Sequence, residues 1–180
     1  EFRRVLFRSN GTRMSKSAGN GFLPQELFSG QHPLLDKAYD PMTVRFFMLQ
    51  THYRSTLDFS NEALRASEKG LQRLWNGIKT LGTLKPGTEH HNVLDGLETR
   101  CRNAMNDDFN TSVLIAHLFD AVRIINSAND NKLKVSQADI DALKSIYQNF
   151  VFDVLGLKEE EGNQKLQAAL NQVMTMILNL

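Results

Sequence analysis

From residue 60 onward the apolar positions fall into blocks spaced by three and four residues, the period of a helix with one buried face. The first block, Leu64, Leu71, Leu74, Trp75, Ile78 and Leu81, predicts a helix of about six turns. Ser60 is placed to cap it, Glu62 sits in the first turn where the macrodipole favours an anion, and Gly82 closes it. Trp75 lies inside this stripe and is expected in the core rather than as a base-stacking platform. A second helix is expected from Asn92 or Val93, with Leu94, Leu97, Cys101 and Met105 inward. Asn110 caps a third, whose stripe is Leu114, Leu118, Phe119, Val122 and Ile125. Ser136 and Asp139 form a capping box with the shorter acid, ahead of Ile140, Leu143, Tyr147, Phe150 and Val154, with Gly156 as the stop. A last helix is expected from near Asn163, with Leu166, Leu170, Val173, Ile177 and Leu180 inward. Segments 85–89, 130–135 and 158–162 read as polar connections.

Before residue 60 the pattern is broken. Residues Arg4 to Phe7 suit a short strand leading into Asn10-Gly11, a pair that tolerates the positive φ of a tight turn. Pro24 to Phe28 predicts a short helix, and Gln31 to Tyr39 is irregular. Asp40 and Pro41 are a cap and first residue for another helix, with Val44, Phe47 and Met48 expected inward. Arg45 on that helix suits bracing a loop, reaching an RNA phosphate, or tying the helix to a carboxylate. The fold class is therefore mostly α: a small irregular module followed by an antiparallel helix bundle.

Composition narrows this picture only modestly. Of 180 residues, 41% are hydrophobic and 23% charged, and the net charge of +1 means any RNA-binding surface must be a local patch. A single cysteine, Cys101, excludes an internal disulfide and cannot make a zinc site by itself. No apolar run approaches the roughly 18 residues needed to span a bilayer, and a cytoplasmic location without membrane association is expected.

The candidate chemistry sits in Arg13-Met14-Ser15-Lys16-Ser17, followed by Ala18-Gly19-Asn20-Gly21. Two cations flank two hydroxyls in a segment rich in glycine and serine, which suits a polyphosphate whose charge grows as a bond breaks. It is not a Walker loop, because Gly-x-x-x-x-Gly-Lys-Ser/Thr is absent. An ordinary basic surface loop is the plain alternative. His52, Tyr53 and Arg54 are of the types that stack on bases or contact phosphate and ribose hydroxyls, against the plainer reading of a polar helix exit. His90-His91 has no acidic or thiol partner at ligand spacing, so no metal site is assigned. Asp107-Asp108 has no visible catalytic partner, and Cys101 reads as a small buried apolar residue.

The five residues from Arg13 to Ser17 resemble the KMSKS signature of class I aminoacyl-tRNA synthetases, with arginine in place of the first lysine. Residues 39–47, Tyr-Asp-Pro-Met-Thr-Val-Arg-Phe-Phe, and 52–60, His-Tyr-Arg-Ser-Thr-Leu-Asp-Phe-Ser, resemble the segment after that signature in cysteinyl-tRNA synthetases. Residues 105–111, Met-Asn-Asp-Asp-Phe-Asn-Thr, are similar to an acidic element of the same family's helical domain. The resemblance implies a two-step reaction: cysteine attacks the α-phosphate of ATP, then passes to the terminal adenosine of tRNA(Cys). It implies ATP with Mg2+ at Arg13, Met14, Ser15, Lys16 and Ser17. Lys16 would be the catalytic cation that grips departing pyrophosphate, with Arg13 in support. Ala18 and Gly21 depart from the larger apolar residues usual in the family, which would loosen loop packing on closure. His52, Tyr53 and Arg54 would touch the tRNA from the stem-contact region. The zinc of the family's full-length enzymes has no ligands here.

Three segments are expected: 1–9 as a foreign or non-native segment, 10–59 as the signature loop and stem-contact region, and 60–180 as a helical bundle domain. The chain is expected to stop before a C-terminal anticodon-reading module, to lack the nucleotide-binding half with its HIGH-type motif, and to be inactive alone. Two rivals stay open: a cysteine ligase acting on an amino-sugar inositol, and a non-catalytic helical module that binds RNA or protein.

Overall fold

The computed structural model describes residues 7–87 and 93–159. The expected helix after Asn163 and the pair His90-His91 lie outside the described residues. A three-stranded sheet opens the chain. Strand β1 (Phe7–Ser9) lies between β2 (Thr12–Arg13), antiparallel to it, and β3 (Leu57–Phe59), parallel to it. Between β2 and β3 come α1 (Pro24–Ser29) and α2 (Pro41–Leu49). Then follow α3 (Asn61–Thr83), α4 (Leu97–Asn106), α5 (Thr111–Asn129), α6 (Gln137–Ile146) and a π-helical segment, Tyr147–Val154.

The first strand runs up to the turn. Phe7 to Ser9 pairs on both sides, with the register fixed by the Asn10-Gly11 turn, and of the expected strand from Arg4 to Phe7 only Phe7 lies among the described residues. Both turn residues have positive φ, 49° and 77°, the geometry that a two-residue hairpin with right-handed strand twist requires. The central strand also carries a defect. Ser9 is 3% exposed, and its hydroxyl has no hydrogen-bond partner. A buried hydroxyl without a partner costs roughly 1–3 kcal/mol. Ser9→Ala removes the group without adding volume and should raise the denaturation midpoint, a gain of roughly 1 kcal/mol.

Two cores share walls. The sheet-side core holds Leu27, Tyr39, Val44, Phe47, Leu57, Phe59 and Leu64, whereas the larger helical core runs from Phe46 and Leu71 to Leu157. Adjacent residues of α2 therefore serve opposite cores: the Phe47 ring meets Phe59 at 4.9 Å, and that of Phe46 meets Phe119 at 6.4 Å. Successive helical residues point about 100° apart, so one short helix can join two clusters. Helix α3 does the same along its length, with Leu64 in one core and Leu71, Leu74, Trp75 and Leu81 in the other.

The caps agree with the sequence. The Asp40 carboxylate accepts from the Met42 and Thr43 amides, Ser60 Oγ from Ala63, and Asn110 Oδ1 from Val113. Ser136 and Asp139 bond reciprocally as a capping box. Trp75 is buried and stacks on Phe152 at 6.1 Å.

Four details differ from the expectation. Met48 is exposed and Phe46 is buried in its place, because the helical core claims that side of α2. Helix α3 runs one residue past Gly82, to Thr83. Helix α4 starts at Leu97, after turn residues 93–96 that end in left-handed Gly96. Val154 is exposed, while Val151 and Leu155 are buried. The cause is the π-helical turn, in which the Leu155 amide donates to Phe150 O, five residues back. The wider turn moves the inward position off the 3.6-residue pattern.

That π-helical end is clasped to α2. Arg45 Nε donates to Leu155 O at 2.8 Å, so this arginine ties two elements through a carbonyl rather than a carboxylate. Gly156 has φ 60°, and a Cβ built there would lie 2.9 Å from Arg45 Nη2. Gly156→Ala should cost about 1–2 kcal/mol in thermal or chemical unfolding, from left-handed strain plus displacement of the guanidinium.

Candidate functional site: a cationic loop and a clamped aromatic–arginine cluster

The loop is carried by a hairpin pinned at its tip. Both oxygens of Asp58 accept from the Gly11 amide, at 3.1 and 2.9 Å, and Asn10 donates its amide to Phe59 O at 3.0 Å. Strand β3 thus holds the hairpin from which residues 14–20 emerge. The Met14 amide donates to Phe7 O, and its side chain packs on the sheet-side core.

Beyond Met14 the chain folds on itself. Asn20 staples the loop, its Oδ1 accepting from the Ser15 amide at 2.9 Å and its Nδ2 donating to Arg13 O at 3.1 Å. Ser15 Oγ accepts from the Ala18 amide at 3.2 Å and lies 3.3 Å from Ser17 Oγ. The Gly19 amide donates to Lys16 O. Arg13, Lys16 and Ser17 are left exposed, and neither cation has an ion-pair partner among the described residues. Two unneutralised cations on a stapled loop suit a polyanion. Ser15, by contrast, already uses its amide and hydroxyl within the loop. Sequence reading missed Asn20 and Asp58. The signals were an Asx residue inside a Gly-Asn-Gly turn and a lone acid between the two apolar residues of a strand.

The second candidate group lies where α2 ends. His52 stacks on Tyr53 at 4.8 Å, and the Arg54 guanidinium lies 5.4 Å from the centre of the same ring. Arg54 Nε donates to the Tyr53 hydroxyl at 3.0 Å, and that hydroxyl donates to Asp108 Oδ1 at 2.7 Å. Asp108 Oδ2 lies 3.0 Å from Arg54 Nε and 3.9 Å from His52 Nε2. The acid that lacked a visible partner in the sequence is thus the group that gathers these three side chains. Beside it, Thr111 Oγ1 donates to Leu49 O at 2.7 Å, fastening the start of α5 to the end of α2. The structure brings His52, Tyr53 and Arg54 together with each other and with Asp108, and Arg13 to Ser17 together in one turn.

Cys101 is fully buried, and burial pushes its thiol up to about 11, so no thiolate nucleophile is offered near neutral pH. Among the described residues no three His, Cys, Asp or Glu side chains are grouped to hold a metal ion, and no helix is long and apolar enough to cross a membrane.

Comparison with known proteins agrees in both halves. Residues 4–69 match the model of the class I (C) tRNA synthetase catalytic domain, and residues 100–160 match the DALR domain. The chain is 48% identical over 170 residues to a cysteine–tRNA ligase of Bacteroides fragilis, which covers 94% of this chain and 35% of that protein. It is 50% identical over 173 residues to the cysteine–tRNA ligase of Bacteroides thetaiotaomicron, with the same coverage. The cysteine–tRNA ligase of Chlorobium luteolum is 36% identical over 179 residues. The chain spans about one third of the length of these relatives. Over nearly all of its own length the chain is similar to cysteine–tRNA ligases, with a class I (C) catalytic-domain match followed by a DALR-domain match.

Proposed function

We propose that this chain contributes the phosphate-gripping loop and an RNA-contacting surface to a cysteine–tRNA ligase that works in the cytoplasm. Cysteine, ATP with Mg2+, and tRNA(Cys) are its substrates. The observation that carries the reading is the exposed, unpaired Lys16 on a loop stapled by Asn20 and carried on a pinned hairpin. Such a cation is preplaced for charge that develops on the pyrophosphate as the α-phosphate bond breaks. Arg13 adds a planar fork that binds phosphate oxygens, without being a point-charge equivalent of lysine. Met14, half-buried on the sheet-side core, anchors the loop, and Ser17 offers an exposed hydroxyl that shares a hydrogen bond with Ser15 Oγ. His52, Tyr53 and Arg54 form the RNA-facing cluster.

A chimaera tests this reading. The matching third of the Bacteroides fragilis enzyme is replaced by this chain, and charging of tRNA(Cys) is followed. Charging supports the assignment. Ligation of cysteine to an amino-sugar inositol without tRNA charging replaces it with the rival ligase. RNA binding with neither reaction reduces the chain to a binding module.

A further inference from the structure

Phe109 presents an exposed ring from a strained backbone. It is 67% exposed, more than any other large apolar side chain among the described residues. Asp108 and Phe109 both lie in the left-handed region, with φ of 53° and 54°. For a bulky residue such as phenylalanine that conformation is a real outlier. It is nevertheless fully bonded: Phe109 donates its amide to Met105 O at 3.1 Å, Asn110 to Ala104 O at 3.0 Å, and Thr111 to Phe109 O at 2.7 Å. From the other side, the Asp108 carboxylate is held by Tyr53 and Arg54. Backbone strain maintained by its surroundings, with an apolar ring turned to water as the result, points to a functional contact.

The setting selects the partner. Arg54 is exposed, Tyr53 is half-exposed at 48%, and both lie on the residue that precedes Phe109. An exposed aromatic ring on the residue next to Asp108, which itself holds a phenol and a guanidinium, matches an unpaired base with its neighbouring phosphate. Protein-binding cores, by contrast, are depleted in charge.

We infer that Phe109 is a stacking contact for an unstacked nucleotide of the bound RNA, with Asp108 as the positioning residue that anchors Tyr53 and Arg54 to the turn carrying it. This rests on the RNA reading of the cluster. Here the ring supplies sequence-tolerant π-contact, while Arg54 supplies the charge.

The test uses the 180-residue chain and an unmodified tRNA(Cys) transcript. Phe109→Ala should weaken binding about 5- to 100-fold, the range for a lost base–aromatic stack. The slope of log K against log salt should stay as in the parent, because no phosphate contact is removed. Arg54→Ala should instead lower that slope by about one. Phe109→Trp adds a second tryptophan to a chain whose single Trp75 is buried. This variant should bind like the parent, and its added emission should be quenched as RNA saturates. Unchanged emission at saturation overturns the inference even if the alanine variant folds poorly. Unchanged affinity of a folded Phe109→Ala, with Arg54→Ala weakened, overturns it and leaves the RNA reading standing. If the parent chain binds no RNA at all, both fall.

Discussion

Lys16→Ala, in an enzyme carrying this segment, is expected to slow cysteine-dependent exchange of pyrophosphate with ATP by about 100- to 1000-fold. That is the usual loss when one preorganised donor to a developing charge is removed. The fold should be untouched. The ammonium is exposed and has no partner among the described residues, and the one bond at this position is made by its backbone carbonyl. The defect should therefore appear in turnover more than in the KM for ATP, since the charge it meets is largest in the transition state. Lys16→Arg should fall between the two, with charge retained but the compact ammonium replaced by a fork. Wild-type turnover in the alanine enzyme would end the phosphate-gripping proposal.

Leu118→Ala should weaken the helical core by about 2–5 kcal/mol. Leu118 is fully buried on α5, the helix that packs against both α3 and α4. Tyr147, itself buried, donates its hydroxyl to the backbone carbonyl of Leu118 at 3.3 Å. That bond survives the substitution, so the loss isolates side-chain packing and the cavity. Out of a typical domain stability of about 5–15 kcal/mol, it is a large fraction. Urea unfolding should show a lower midpoint with unchanged slope. A loss below about 1 kcal/mol would mean that the neighbours collapse into the space.

The structure also shows that one short run of chain joins the hairpin that bears the loop to the His52–Tyr53–Arg54 cluster. Residues 52–59 are held at one end by Asp108 and at the other by the bonds from Gly11 and Asn10 to Asp58 and Phe59. The run has its own strand only at Leu57–Phe59; elsewhere its position depends on these long-range contacts. Most of the elements could be read from local signals. The caps at Asp40, Ser60, Asn110 and Ser136, the Asn10-Gly11 turn and the buried stripe of α3 all depend on residues within a few positions of each other. The register failed where a distant partner intervened. Phe46 displaced Met48 because the helical core takes that side of α2, and the π-helical turn exposed Val154 while turning Val151 and Leu155 inward.

What the sequence determined by itself was therefore the mostly helical character, the hairpin that presents the loop, and the cationic content of residues 13–17. Each follows from spacing, capping or side-chain type, which act over one or two turns of chain. Only the tertiary structure decided that Asp108 gathers His52, Tyr53 and Arg54, that Asn20 closes the loop, and that Arg45 grips Leu155 over 110 residues of separation. A hydrogen bond is a matter of ångströms in space, and sequence distance carries no information about it until packing has brought the chain together.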